Sequence, residues 1–185
     1  MGRSWAAPTR AATGSRWDSE AVSRIVALVV SSLGLLAFAG SAAASEWGTI
    51  VPGKSTTESI RSVYGPPTRS LAQKVEGYDA IQWVYEGAQA PAGLHRLTLD
   101  FGLLTAPGFK PDVVRAFRLD PKPGVFNRKL VLDGWGTPTK IGRDGEFEIF
   151  LYEDGLLVYF DKEGQAVQAM VFTPPQPLPA SPSQR

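Results

Sequence analysis

The chain has 185 residues, with 19 Lys and Arg against 18 Asp and Glu, a formal net charge of +1, and no cysteine. So even a balance excludes the strongly basic face with which nucleic-acid binders displace counterions. The missing cysteines exclude disulfides, thiolate catalysis, cysteine zinc sites and cysteine-linked lipidation.

Residues 1–44 read as a signal peptide. The stretch 25–39, IVALVVSSLGLLAFA, is uncharged and apolar, follows Arg24, and leads into the small residues Gly40, Ser41, Ala42, Ala43 and Ala44, which suit a signal peptidase cutting after Ala44. The alternative is an uncleaved anchor, although about 20 apolar residues are needed to span a bilayer. Asp18 and Glu20 make the start overlong for a signal, and a true start near Val22 would leave a short basic lead. Cleavage after Ala44 leaves 141 residues (185 − 44), enough for one compact domain. An exported, cysteine-free chain of this kind is expected in a periplasm or outside the cell.

The remainder repeats itself. Pro52 and Gly53 precede a segment ending Tyr64-Gly65-Pro66-Pro67-Thr68, and Pro123 and Gly124 precede one ending Trp135-Gly136-Thr137-Pro138-Thr139. The offset is 71 residues (124 − 53), and the echo continues downstream with small gaps, Val84-Tyr85-Glu86 matching Leu151-Tyr152-Glu153. A period this long indicates a duplicated supersecondary unit rather than a solenoid. The first unit is placed at 45–122, the second at 123–173, and a Pro-rich disordered tail at 174–185.

Within the first unit, Ser55 and Glu58 have the spacing of a capping box, and Ile60, Val63 and Tyr64 recur at helical intervals. Gly65 and the two prolines after it stop that helix. Three strands follow, around Ile81, Trp83 and Tyr85, around Leu97, Leu99 and Phe101, and from Val113 to Leu119. In the second unit Phe126, Leu130, Val131 and Trp135 line a helix beginning at Asn127. Phe147, Ile149 and Leu151 alternate along a strand, and Asp154-Gly155 signals a two-residue hairpin turn. The expected fold class is therefore α+β: two repeated helix-plus-three-stranded antiparallel meander units packed as one bilobed domain.

With its turn, capped helix and aromatic-Gly-x-Pro-Thr stop, the segment 53–67 resembles the SmpA/OmlA (BamE-like) module. Gly124 with Trp135, Gly136, Thr137 and Pro138 is a looser copy. In tandem, the two resemble the β-lactamase inhibitor protein (BLIP)-like fold. The resemblance implies non-enzymatic protein–protein work in the bacterial cell envelope, linked to outer-membrane assembly or integrity, or else secreted enzyme inhibition. This chain departs from the assembly subunit in lacking a cysteine anchor and being duplicated, and from the inhibitor in having no disulfide.

Candidate chemistry is sparse. His95, the one histidine, has Leu94 and Arg96 beside it and no local partner for general-base work. Asp144, Glu146, Glu148, Glu153 and Asp154 could hold a cation or serve as paired acids, but their alternation along a strand and turn describes a solvated sheet face. Ser55 lacks the glycines of a nucleophile elbow. No catalytic residue, metal ligand or cofactor is assigned. The expected binding face consists of Phe150, Tyr152, Leu157, Tyr159, Met170 and Phe172, aromatic and apolar where a simple sheet should be polar. It is either covered by the rest of the fold or open to a partner. The expected partner is an envelope protein, not nucleic acid, with membrane contact only through an uncleaved N-terminal segment. A small-ligand or lipid carrier is the remaining alternative.

Overall fold

The structure is a computed structural model, and it describes residues 47–175. The signal-peptide reading of 1–44 and all but the first two residues of the Pro-rich tail lie outside the described residues.

The described elements run α1 (Thr57–Tyr64), β1 (Arg69–Val75), β2 (Tyr78–Glu86), a short 3-10 turn (Gly87–Gln89), β3 (Leu94–Thr105), β4 (Gly108–Pro121), α2 (Arg128–Trp135), β5 (Lys140–Asp144), β6 (Phe147–Leu151), β7 (Leu156–Phe160) and β8 (Val167–Phe172). All eight strands belong to one antiparallel sheet, in the order β1-β2-β3-β4-β8-β7-β6-β5. This corrects the expected two helix-plus-three-stranded units in a bilobed domain. Each helix is followed by four strands, and β4 pairs directly with β8 through Phe117↔Phe172, Arg118↔Val171 and Leu119↔Met170. The additional strands are the two edges, β1 and β5. Their sequences, RSLAQKV and KIGRD, are mostly polar and exposed, so they lack the alternation that marks a half-buried strand.

Both helices pack on one face of the sheet. Ile60 of α1 and Val131 of α2 are fully buried in a single core with Trp83, Tyr85, Leu97, Leu99, Phe117, Leu119, Phe150, Val158, Met170 and Phe172. The core is continuous across the β4–β8 junction, where the Phe117 and Phe172 rings stack 4.4 Å apart at 7°. Val63 and Leu130, which the helical spacing placed on the inner faces, are 56% and 46% exposed. With only eight residues, each helix turns a single buried residue fully inward.

The helix boundaries follow from local chemistry. Thr56, rather than Ser55, caps α1: its hydroxyl accepts from the Ser59 N–H, and the Ser59 hydroxyl accepts from the Thr56 N–H at 2.9 Å, a capping box one residue later than expected. Ser55 instead accepts from the Val51 N–H and so holds the preceding turn. Asn127 caps α2 through the Leu130 N–H, as its position suggested.

The same fastenings occur at both helix ends. The Tyr85 hydroxyl donates to the Gly65 carbonyl at 2.9 Å, and the Tyr152 hydroxyl donates to the Gly136 carbonyl at 3.0 Å. Thr68 Oγ1 accepts from the Glu86 N–H, and Thr139 Oγ1 accepts from the Glu153 N–H. The Gly-x-Pro-Thr segments therefore clamp each helix terminus to a strand. Tyr85→Phe or Tyr152→Phe, which removes only the hydroxyl donor, is expected to cost about 1–2 kcal/mol. Urea unfolding of either variant at wild-type stability would show that the clamp contributes nothing.

Candidate functional site

The six residues expected to form a binding face do not share one. Phe150, Tyr152, Met170 and Phe172 are buried on the helix-covered side, with Tyr152 at 8% exposure and the others at 1% or less. Leu157 and Tyr159 lie on the opposite, outer side and are half-buried. The cause is one residue of register. A two-residue turn at Asp154-Gly155 would set Phe150 opposite Tyr159. In the structure Phe150 pairs with Val158 and Ile149 with Tyr159. The Tyr152 N–H donates to the Leu156 carbonyl at 2.9 Å, so Glu153, Asp154 and Gly155 form a three-residue loop. Moving the register by one residue sends every side chain of a strand to the other face. The same register turns Phe147, Ile149 and Leu151, which alternate along β6, to the outer side.

That outer side has two chemical halves. On β6–β8 it carries Ile149, Leu151, Leu157, Tyr159, Ala169 and Val171; Leu151, Leu157 and Tyr159 are half-buried, while Ile149, Ala169 and Val171 are buried at 8%, 1% and 4% exposure. On β1–β4 it is mostly polar, although Leu71, Val84 and Ala116 share it. Asp100 Oδ1 accepts from Gln82 Nε2 at 2.9 Å and from Gln73 Nε2 at 3.2 Å, and Glu86 pairs with Arg69 and Arg96. Arg118 pairs with Asp120 at 2.7 Å on β4, where the halves meet, and Arg118 is registered against Val171. The helices lie on the other side, so among the described residues no helix covers this face. Sequence reasoning reached Leu157 and Tyr159 but not Ile149, Leu151 or the Arg118–Asp120 pair. The signal that could have found Ile149 and Leu151 is alternation along β6 read with a three-residue loop; nothing in the β6 pattern bears on the Arg118–Asp120 pair of β4.

Burial raises the Tyr159 phenol above its usual value near 10, and the Asp144 carboxylate raises it further, while Arg118 pulls it down. Tyr64, Tyr85 and Tyr152 are raised as well, each chiefly by burial. A phenol whose folded pKa exceeds its unfolded one stays neutral longer in the folded state. It therefore contributes stability that is fully present below pH 10 and is lost as pH rises through the folded values. The protein is expected to hold its melting temperature from neutrality to about pH 9 and to lose it progressively above pH 10. A melting temperature flat through that upper range would contradict the burial of these four hydroxyls.

The candidate chemical groups of the sequence are dispersed. His95 is exposed on β3. Glu148 pairs with Arg128, whose Nε donates to the Gly164 carbonyl at 2.7 Å and whose guanidinium lies over the rings of Phe150 and Phe160 at 4.8 and 5.0 Å. Glu146 pairs with Lys162 at 2.7 Å, which raises the Lys162 pKa. Asp161 accepts from the Gln165 N–H within its turn. Among the described residues, no group of three or more His, Asp or Glu converges in a way that could hold a metal ion. A shallow notch of about 410 Å³ lies at the start of α1, lined by Thr57, Ala72, Asp79, Ala80, Ile81, Pro111 and Asp112. No helix among the described residues is long and apolar enough to cross a membrane.

No protein-family model matches the chain, and no curated protein matches it. Among solved structures, the chain is similar to a DUF4309 family protein (YjgB) from Bacillus subtilis, with 12% sequence identity and a TM-score of 0.42, over 68% of this chain and 82% of that one. A likeness at that level carries no inference about what this chain does.

Proposed function

We propose that this protein is an exported, non-enzymatic protein-binding module of the bacterial cell envelope, and that it binds its partner through the outer face of the sheet. The observation that supports this most is the outer side of β6–β8, where the half-buried Leu151, Leu157 and Tyr159 flank the buried Ile149, Ala169 and Val171, beside the Arg118–Asp120 pair. An uncovered antiparallel sheet face is ordinarily polar. An apolar patch with an amphipathic phenol and a rim of charge has the make-up of a protein-binding hot spot. Export rests on the apolar run 25–39 and the small residues that follow it. The resemblance of 53–67 to the SmpA/OmlA (BamE-like) module, and of the tandem to the BLIP-like fold, points to the same class of work, as does the pair of matching helix clamps in the two halves.

The test is crosslinking of the tagged full-length protein in its native host, followed by mass spectrometry of what is captured from the envelope. Wild type is expected to capture a recurring stoichiometric partner. Leu157→Ser with Tyr159→Ser is expected to reduce capture at least ten-fold, since loss of a hot-spot residue costs about 2 kcal/mol, while circular dichroism stays native. Capture unaffected by both substitutions would reject this face as the site. A hydrolase as the captured partner would make the protein an inhibitor, and a co-purifying small molecule with no protein partner would make it a carrier.

A further inference from the structure

Among the described residues the sheet has two free edges, β1 and β5, and they differ in how their charges are used. On β1, Arg69 pairs with Glu86 at 3.0 Å and Lys74 with Asp79 at 2.6 Å, so the charges of that edge are neutralised within the chain. On β5, Lys140, Arg143 and Asp144 have no ion-pair partner among the described residues, and Ile141 is 57% exposed, the highest value among the large exposed hydrophobic side chains. The β5 sequence, Lys140-Ile141-Gly142-Arg143-Asp144, is also complementary to itself when reversed.

We propose that β5 is the edge along which two copies of this chain pair, antiparallel about a two-fold axis at Gly142. In that register Lys140 of each copy faces Asp144 of the other, Ile141 faces Arg143, and Gly142 faces its own mate. Two opposite-charge pairs form, and the stem of Arg143 covers the exposed Ile141. The unpaired backbone donors and acceptors of β5 gain partners, and opposite-charge cross-strand neighbours each add about 0.2–1 kcal/mol. Edge strands that discourage pairing carry unmatched charge or proline, whereas β5 has no proline and its charges match under the two-fold. Glycine at the axis places no side chain between the copies, and a Cβ there would point at Leu151 Cδ1, 3.3 Å away. The contact is isologous, so it closes at two copies. The outer faces of the two sheets then run on as one surface. This pairing is independent of what the outer face binds.

The absence of cysteine makes the test clean. Residues facing each other across an antiparallel two-fold have Cα atoms about 4.5–5.5 Å apart, within the range a disulfide bridges. In the full-length protein expressed in its host, Gly142→Cys is expected to give an oxidised dimer on non-reducing gels, and Lys140→Cys is not, because in this register the two Lys140 positions lie roughly 13 Å apart. Adding Lys140→Asp to Gly142→Cys sets Asp against Asp twice and is expected to lower the crosslinked fraction about ten-fold, as is Asp144→Lys. Combining the two reversals restores opposite charges and is expected to restore crosslinking. Thermal unfolding of each variant checks that the fold is intact. A natively folded Gly142→Cys protein that does not crosslink overturns the proposal. Preferential crosslinking of an Ala72→Cys control on β1 overturns the choice of edge, and crosslinking indifferent to the charge reversals overturns the register.

Discussion

Phe172→Ala is expected to destabilise the protein by about 3–5 kcal/mol, the range for truncating a buried phenylalanine. The side chain is fully buried, stacks on Phe117 at 4.4 Å and meets the edge of Trp135 at 6.4 Å. Its backbone is registered against Phe117 on one side and Leu156 on the other. Only three residue pairs join β4 to β8, so this ring sits where the two halves of the core become one. A loss of that size is a large share of the 5–15 kcal/mol typical of a domain. Phe172→Leu keeps most of the volume and should cost no more than about 1.5 kcal/mol. Urea unfolding measures both. A cost below about 1 kcal/mol for the alanine variant, or two separate transitions in the wild type, would mean that the halves are held together by something other than this seam.

Gly155→Ala is expected to cost about 3 kcal/mol, well beyond the effect of an ordinary surface substitution. Gly155 closes the three-residue loop between β6 and β7 at a φ of +100°, a backbone conformation that side chains disfavour. A Cβ there would lie 2.1 Å from the Thr173 carbonyl oxygen and 2.9 Å from that of Pro174. Both obstacles are backbone, so relief requires moving the segment that follows β8. That movement would break the bond from the Thr173 N–H to the Gly155 carbonyl at 2.8 Å and the one from the Thr173 hydroxyl to the same oxygen. Gly145→Ala is the control: its φ is +59°, but a Cβ there meets nothing within 4 Å. It should cost only the conformational strain, about 1–2 kcal/mol. Equal melting temperatures for the two variants would show that contact with Thr173 is unimportant.

The glycine also bears on the binding face, because the loop it closes sets which side chains look outward. Had Asp154 and Gly155 alone made the turn, Phe150 and Tyr152 would share a face with Leu157 and Tyr159. With Glu153 added to the loop, Leu157 and Tyr159 stand beside Ile149 and Leu151 instead. Both versions of β6 place apolar residues on both sides, so alternation could not choose between them. A β6 polar on one side would have fixed the register from sequence.

Determined by the sequence alone were the features whose causes lie within a few residues. The two short helices and their stops at Gly65 and Gly136 follow from capping residues, helical spacing and proline, and strands β2, β3, β7 and β8 follow from runs of apolar and β-branched residues. The Thr echo at an offset of 71 (139 − 68) and the Tyr echo at 67 (152 − 85) are legible too: each Tyr hydroxyl donates to the glycine carbonyl at a helix stop, and each Thr hydroxyl accepts from the N–H of the Glu that follows that Tyr. Only the tertiary structure decided the rest. The edge strands β1 and β5 are polar and become strands because a neighbour offers them a hydrogen-bonding ladder. The pairing of β4 with β8 joins residues more than 50 positions apart, and nothing local to either strand encodes it. That contact turns two helix-bearing units into one sheet with one core, and with the β6–β7 register it settles which apolar side chains are core and which remain on the outer face. The energy of such pairings resides in burial shared between distant segments, and a reading that proceeds along the chain has no access to it.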